Sequence, residues 1–263
     1  MNEKTNYGNW VPEKALYALF AGAAVLLALA AVFAGRIRWL AVVSGISGAA
    51  LLVEAVYMLA CHETFAFGKG NMMAKVHEHL VSKLPWDGRG TLLDIGCGAG
   101  ALTIRCAKTF PGAKITGIDY WGAEWNYAKS QCEKNARLEG VADRITFQKG
   151  DAAELSFADE SFDAAVSNFV FHEVRTAKDK RDVVREALRV VKQGGAFSFQ
   201  DMFSQQALYG DMEEFVRALQ KEGVREIHYI GNLERKLDFI PRFVRAPWMI
   251  SGSPSSSARM TDF

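Results

Sequence analysis

Leu92-Leu93-Asp94-Ile95-Gly96-Cys97-Gly98-Ala99-Gly100 decides how the rest of the chain is read. An apolar run with an acid near its end gives way to glycine at every second position. Ala101-Leu102-Thr103-Ile104-Arg105-Cys106-Ala107 then resumes with helical spacing. The pattern predicts strand, tight turn and helix, which brings backbone N–H groups against a nucleotide-like ligand. Two ligand chemistries suit such a turn. G-x-G-x-x-G/A serves a pyrophosphate, with Ala101 in the third small position. Asp94, two residues before the first glycine, would set like charge beside that pyrophosphate. A ligand bearing an ammonium or sulfonium is attracted to it instead.

With Asp94, Gly96, Gly98 and Gly100 in D-x-G-x-G-x-G, the chain resembles the class I S-adenosylmethionine-dependent methyltransferases at this point. The resemblance continues in order over about residues 70 to 201. Lys114-Ile115-Thr116-Gly117-Ile118-Asp119 ends in an acid, Arg144 to Ala152 follows as a third strand, and Ser161 to Asn168 as a fourth. Glu186 to Gly195 then matches the family's helix and Gly-Gly turn before strand five. It implies an α/β fold, a doubly wound, mostly parallel seven-stranded sheet, with S-adenosylmethionine as cofactor. In that scheme Asp94, Gly96, Cys97, Gly98 and Gly100 form the cofactor turn, with Cys97 a small filler, and Asp119 accepts both ribose hydroxyls. Tyr120 packs on the adenine, Asp151 with Ala152 meets the adenine amino group, and Asn168 ends a strand beside the methyl donor.

At 263 residues the chain suits one catalytic domain plus an extension. A formal net charge of +1 gives no bulk attraction to nucleic acid, and none is expected as a partner. Cys61, Cys97, Cys106 and Cys132 form no C-x-x-C pair and are read as reduced thiols, and no metal site is expected.

Residues 1–14 are a polar N-terminus. Ala15 to Gly35 is a stretch of 21 residues without charge, and Trp39 to Ala60 one of 22 with a single charge, Glu54. At 1.5 Å per residue either crosses a hydrocarbon layer about 30 Å thick. The segment 15–60 is therefore predicted to be two transmembrane helices, with Ala18/Gly22 and Ser44/Gly48 allowing close approach. Ser44, Ser47, Glu54 and Cys61 fall on one stripe of the second, either a polar track or a locally satisfied acid. The expected location is the cell membrane, multi-pass, with the catalytic domain on the cytoplasmic side where the cofactor is. Lys4, Lys14, Lys69, Lys75 and Lys83 agree, and Arg36 and Arg38 in the turn oppose. Residues 61–90 are read as linker and cofactor-covering helix, with Met72, Met73, Val76, Leu80 and Leu84 on one face. Residues 91–250 are the cofactor-binding domain, Phe243 to Ile250 its reversed last strand, and 251–263 a polar tail.

Methyl transfer from a sulfonium is an in-line displacement, so the protein mainly aligns the partners and excludes water. After the fourth strand stands Asn168-Phe169-Val170-Phe171-His172-Glu173, without the N/D-P-P-Y/F signature of nucleobase and glutamine methylation. His172 is the candidate general base, against a packing role. Trp121, Asp201 and Met202 are pocket candidates. The expected function is methylation of a small apolar or membrane-partitioned acceptor: quinone-like, lipid, thiol or metalloid. The alternative is a non-catalytic membrane sensor that binds the same cofactor.

Overall fold

The apolar run before the glycines is a strand, β1 (Gly90–Ile95), at the middle of a parallel sheet. Leu92 is in register with Ile115 of β2 (Ala113–Asp119) on one side and Ala164 of β4 (Phe162–Asn168) on the other. β3 (Ile145–Lys149) continues beyond β2, and β5 (Val191–Asp201) beyond β4, in the order β3-β2-β1-β4-β5. Strand order reverses between β1 and β4, and the crevice at the carboxyl ends of the strands there is where open α/β sheets bind ligands. The computed structural model describes residues 3–122, 129–231, 238, 240–241 and 259–262.

Among the described residues the sheet proper has five strands, not the seven expected. Two short parallel segments, β6 (His228–Ile230) and β7 (Arg259–Asp262), follow at its edge, and β7 meets β5 at only two residue pairs. At three and four residues they are far shorter than the 11-residue β5 beside them. The reversed strand expected at 243–250 lies outside the described residues. Part of the tail expected at 251–263 is β7.

Period-two alternation sends successive strand side chains into two apolar layers. Leu92, Ile115, Ala164 and Val166 meet α3 (Met72–Ser82), α4 (Ala101–Thr109) and α5 (Lys129–Leu138) through Leu80, Leu102, Ile104 and Ala136. Leu93, Ile95, Ala165 and Phe199 meet α6 (Lys180–Arg189) and α8 (Met212–Lys221) on the opposite face, with the short α7 (Gln206–Tyr209). Each large apolar side chain so buried contributes roughly 1.5–3 kcal/mol. Local signals place the helices: the Asp179 carboxylate accepts from Arg181 N ahead of α6, and that of Asp211 from Glu213 N and Glu214 N ahead of α8. Met212, Phe215, Val216 and Leu219 supply the buried face of α8.

Two boundaries differ from expectation. α6 stops at Arg189, and Gly194-Gly195 is not a turn but part of β5, where pairing with β4 shifts register between Phe162 and Ala164. Gly194 has φ 75°, and a Cβ on Gly195 would lie 2.8 Å from Lys192 O and 2.9 Å from Asp163 O. Glycine here permits a bulge. The spacing from Trp121 to Leu138 predicts a helix ending at Gly140; it is described from Lys129 on, and residues 123–128 lie outside the described set.

The described chain divides into two compact units, residues 8–74 and a sheet unit. The sheet unit includes the segment up to Tyr7, expected above to be part of a separate polar terminus, together with the chain from Lys75 onward. The unit 8–74 is an antiparallel pair, α1 (Glu13–Phe33) and α2 (Arg38–Phe65), both long and apolar enough to cross a membrane. Only 11% of the most apolar window of each is buried. A Cβ on Gly22 would meet Leu51 Cδ2 at 2.9 Å, and one on Gly48 would meet Leu27 Cγ at 2.9 Å, so both glycines sit in the helix contact. Below it, the Asn9 side-chain amide donates to His62 O (2.9 Å), and Trp10 lies 5.5 Å from Phe65 between ring centres. Glu54 is exposed and Cys61 buried, so their stripe is not one buried track.

Candidate active site

The turn after β1 is held open by backbone geometry that side chains resist. Gly96, Gly98 and Gly100 have φ of 76°, 55° and 84°, in the left-handed region where glycine is favoured. Gly96 N and Cys97 N both donate to Ile118 O at 2.8 Å, which pins the turn to the end of β2. There Asp119 stitches the two together: its Oδ2 accepts from Gly98 N (2.9 Å) and its Oδ1 from Trp121 N (2.8 Å). Each carboxylate oxygen keeps capacity for a further donor, as two ribose hydroxyls require. The Trp121 indole N–H donates to Gly98 O (3.1 Å), and the Cys132 thiol approaches the same carbonyl at 3.1 Å.

Asp94 is fully buried. Its Oδ2 accepts from the Thr103 hydroxyl at 2.5 Å, whereas Oδ1 has no hydrogen-bond partner. Burial pushes its carboxyl up to about 7, against the Thr103 hydrogen bond, which lowers it. An orphaned carboxylate oxygen beside a glycine turn fits a positively charged ligand and would repel a pyrophosphate. S-Adenosylmethionine carries such a charge, on its sulfonium.

At the end of β4, the Asn168 amide lies 3.2 Å from His77 Nε2 of α3, and its Oδ1 is buried without a partner. Burial, then the charge of Arg105, lowers His77 to about 3, so this imidazole stays neutral. Phe169 follows with φ 55°, a strained backbone for a bulky residue next to a candidate site. His172 then lies in a one-turn 3-10 helix, Phe171–Glu173. Its Nδ1 is 2.6 Å from Asp201 Oδ1 and its Nε2 is 3.3 Å from Glu173 Oε1. Asp201, fully buried at the end of β5, also accepts from Phe171 N (2.7 Å) and Met202 N (2.6 Å). Burial lowers the His172 pKa, but the Asp201 hydrogen bond and charge, with Glu173, outweigh it, and the net direction is upward.

The structure thus brings Asp94, Gly96, Cys97, Gly98, Gly100 and Asp119 together, with Asn168 ending β4 and His172 just beyond it. Asp151 accepts from Ala153 N and from the Thr176 hydroxyl, both at 2.9 Å, and the Ala152 side chain joins the apolar layer under α6 and α8. Tyr120 is 58% exposed with Lys149 Nζ 5.0 Å from its ring centre, so the aromatic lying on the glycine turn is Trp121. His77 and Thr103 join the site without a sequence signal beyond helical spacing.

Residues 93–199 match the family model described as "Methyltransferase domain". Over 122 residues the chain is 34% identical to a sterol 24-C-methyltransferase of Gibberella zeae, an alignment covering 46% of this chain and 30% of that protein. It is 33% identical over 127 residues to 27-O-demethylrifamycin SV methyltransferase of Amycolatopsis mediterranei, covering 48% and 44%. With an arsenite methyltransferase of Aquipseudomonas alcaligenes the identity is 31% over 127 residues, covering 47% and 36%. The chain spans less than half the length of each of these relatives.

Proposed function

We propose, from the premise that residues 93–199 are a class I S-adenosylmethionine-dependent methyltransferase domain, that the chain methylates a small apolar or membrane-partitioned acceptor. The observation that carries the reading is the buried, half-paired Asp94 carboxylate beside three left-handed glycines, with Asp119 opposite. The names of the relatives add a sterol, 27-O-demethylrifamycin SV and arsenite as acceptors of proteins with a similar domain, all small molecules.

When bound, the donor supplies a methyl group already activated by a positive sulfur. The residues of this chain do the rest. Asp94 and Asp119 orient the donor, α3 covers it, and Asn168 closes the site at β4. His172 is the proposed base. Asp201 on Nδ1 fixes the tautomer that leaves the Nε2 lone pair for the acceptor's proton, and both carboxylates steady the imidazolium that results. His172→Gln is expected to lower turnover by roughly 100-fold or more while leaving donor affinity within twofold. The measurement is S-adenosylhomocysteine release by the full-length protein supplied with membrane extract, and unchanged turnover would return His172 to a packing role. Because its pKa is raised, the wild-type rate climbs with pH along a limb lying above the ordinary histidine value of about 6.5. Donor binding with persistent silence across extracts would support the sensor alternative.

The pair α1–α2 is proposed as a membrane anchor that leaves the catalytic domain on the cytoplasmic side. Among the described residues, every exposed large apolar side chain except Tyr120 and Leu138 lies between Trp10 and Leu59, Val25, Ile46 and Val53 among them. Water is a poor solvent for such a surface, and hydrocarbon suits it. Anchoring would raise the effective concentration of an acceptor dissolved in lipid.

A further inference from the structure

We propose that the segment ahead of the first apolar helix is a strap that sets cofactor affinity, with Asn135 as the positioning residue that transmits it to the glycine turn. The inference rests on the cofactor reading above and adds a control point to it. Residues up to Tyr7 belong to the sheet unit, and the chain enters α1 only six residues later, at Glu13.

Asn135, on α5, is fully buried and uses its whole amide. Its Oδ1 accepts from Asn6 N (2.9 Å) and from the Gln131 side chain (2.9 Å). Its Nδ2 donates to Asn6 O (2.7 Å) and to Ala99 O (2.9 Å). Ala99 is the residue between Gly98 and Gly100, so one amide grips the strap's backbone and the cofactor turn together. The strap is fastened on either side of that grip. The Tyr7 hydroxyl donates to Glu139 Oε1 (3.0 Å), Glu139 in turn pairs with Lys108 of α4, and Glu3 pairs with Lys134 at 3.0 Å. Lys134 and Asn135 are α5 residues and Glu139 directly follows it, while α4 begins at the turn itself, so the strap braces the helices on which the turn is mounted.

A turn made of three glycines has little stiffness of its own, and ordering it on binding costs affinity. The strap supplies order in advance. Because it leads directly into the hairpin, whatever pulls residues 3–7 off α5 would loosen donor binding without touching a donor-contacting residue.

The test compares full-length wild type with a variant lacking residues 2–7, and with Asn135→Asp, which keeps the acceptor for Asn6 N but loses both donated bonds. S-Adenosylmethionine affinity in detergent micelles is expected to fall roughly tenfold in each, the loss of one to two net hydrogen bonds. Amide hydrogen exchange at residues 97–101, measured without ligand, is expected to speed up while β4 stays protected. A synthetic peptide of residues 1–9, added to the shortened variant, should restore affinity in part. Wild-type affinity and wild-type exchange in the shortened variant would overturn the proposal. So would a loss of protection spread evenly over the sheet, which would make the strap a general stabiliser. Exchange needs no donor, so failure of the cofactor reading and failure of the strap are read separately.

Discussion

Asp119→Ala lowers affinity for S-adenosylmethionine by roughly 100-fold or more. Two contributions add. In the proposed site the carboxylate would accept two ribose hydroxyls, each charge-assisted hydrogen bond contributing about 1.5–3 kcal/mol. It also accepts from Gly98 N and Trp121 N, at 2.9 and 2.8 Å, so its loss removes one tie of the turn to β2 while the bonds to Ile118 O remain. Asp119→Asn keeps one acceptor and is expected to fall between the two. Calorimetric titration of the purified variants checks the order, and an alanine variant within threefold of wild type would remove Asp119 from the site.

The second large effect is a pH dependence. Burial holds the Asp94 carboxyl at about 7, with its Oδ1 unpaired. A positively charged donor favours the ionised form, so binding expels a proton and affinity rises as pH increases through 7, then levels off. Asp94→Asn is expected to abolish that rise and to weaken binding at pH 8 by roughly tenfold or more. The difference between the two proteins at each pH isolates this carboxyl from any titration of the ligand. In the unliganded fold the sign is reversed. A carboxyl whose pKa is raised on folding costs stability as pH climbs from the ordinary carboxylate range of about 4 toward 7. The donor therefore stabilises the protein more at pH 8 than at pH 6, which thermal unfolding measures. Equal stabilisation at both would contradict the role given to Asp94.

Much of this site was legible in advance because its chemistry is local. Leu92 to Gly100 announces a strand and a turn within nine residues, since glycine is favoured for the left-handed backbone that the turn adopts at three alternate positions. Asp119 was found by its place at the end of an apolar strand. What escaped depends on contacts between distant segments. Trp121 lies on the turn through its indole N–H bond to Gly98 O, a contact that a pair of adjacent aromatics does not announce. The Gly194-Gly195 pair suits a turn or a bulge equally, and the close approach of Lys192 and Asp163 carbonyls selects the bulge. Residues 3–7 carry no periodicity, and the clamp on them is made to the backbone of Asn6 by a residue 129 positions away. No side-chain pattern in the strap encodes that contact. The far edge departs from the seven-stranded sheet that the resemblance implied: after β5 the described residues hold a three-residue β6 and a four-residue β7.

The most direct test of the account is calorimetric titration of the full-length protein with S-adenosylmethionine and, separately, with a nicotinamide dinucleotide. Saturable heat with the sulfonium donor and none with the dinucleotide is the predicted result, because an unpaired buried carboxylate faces the ligand's charge. Clear heat with the dinucleotide and none with S-adenosylmethionine would contradict it.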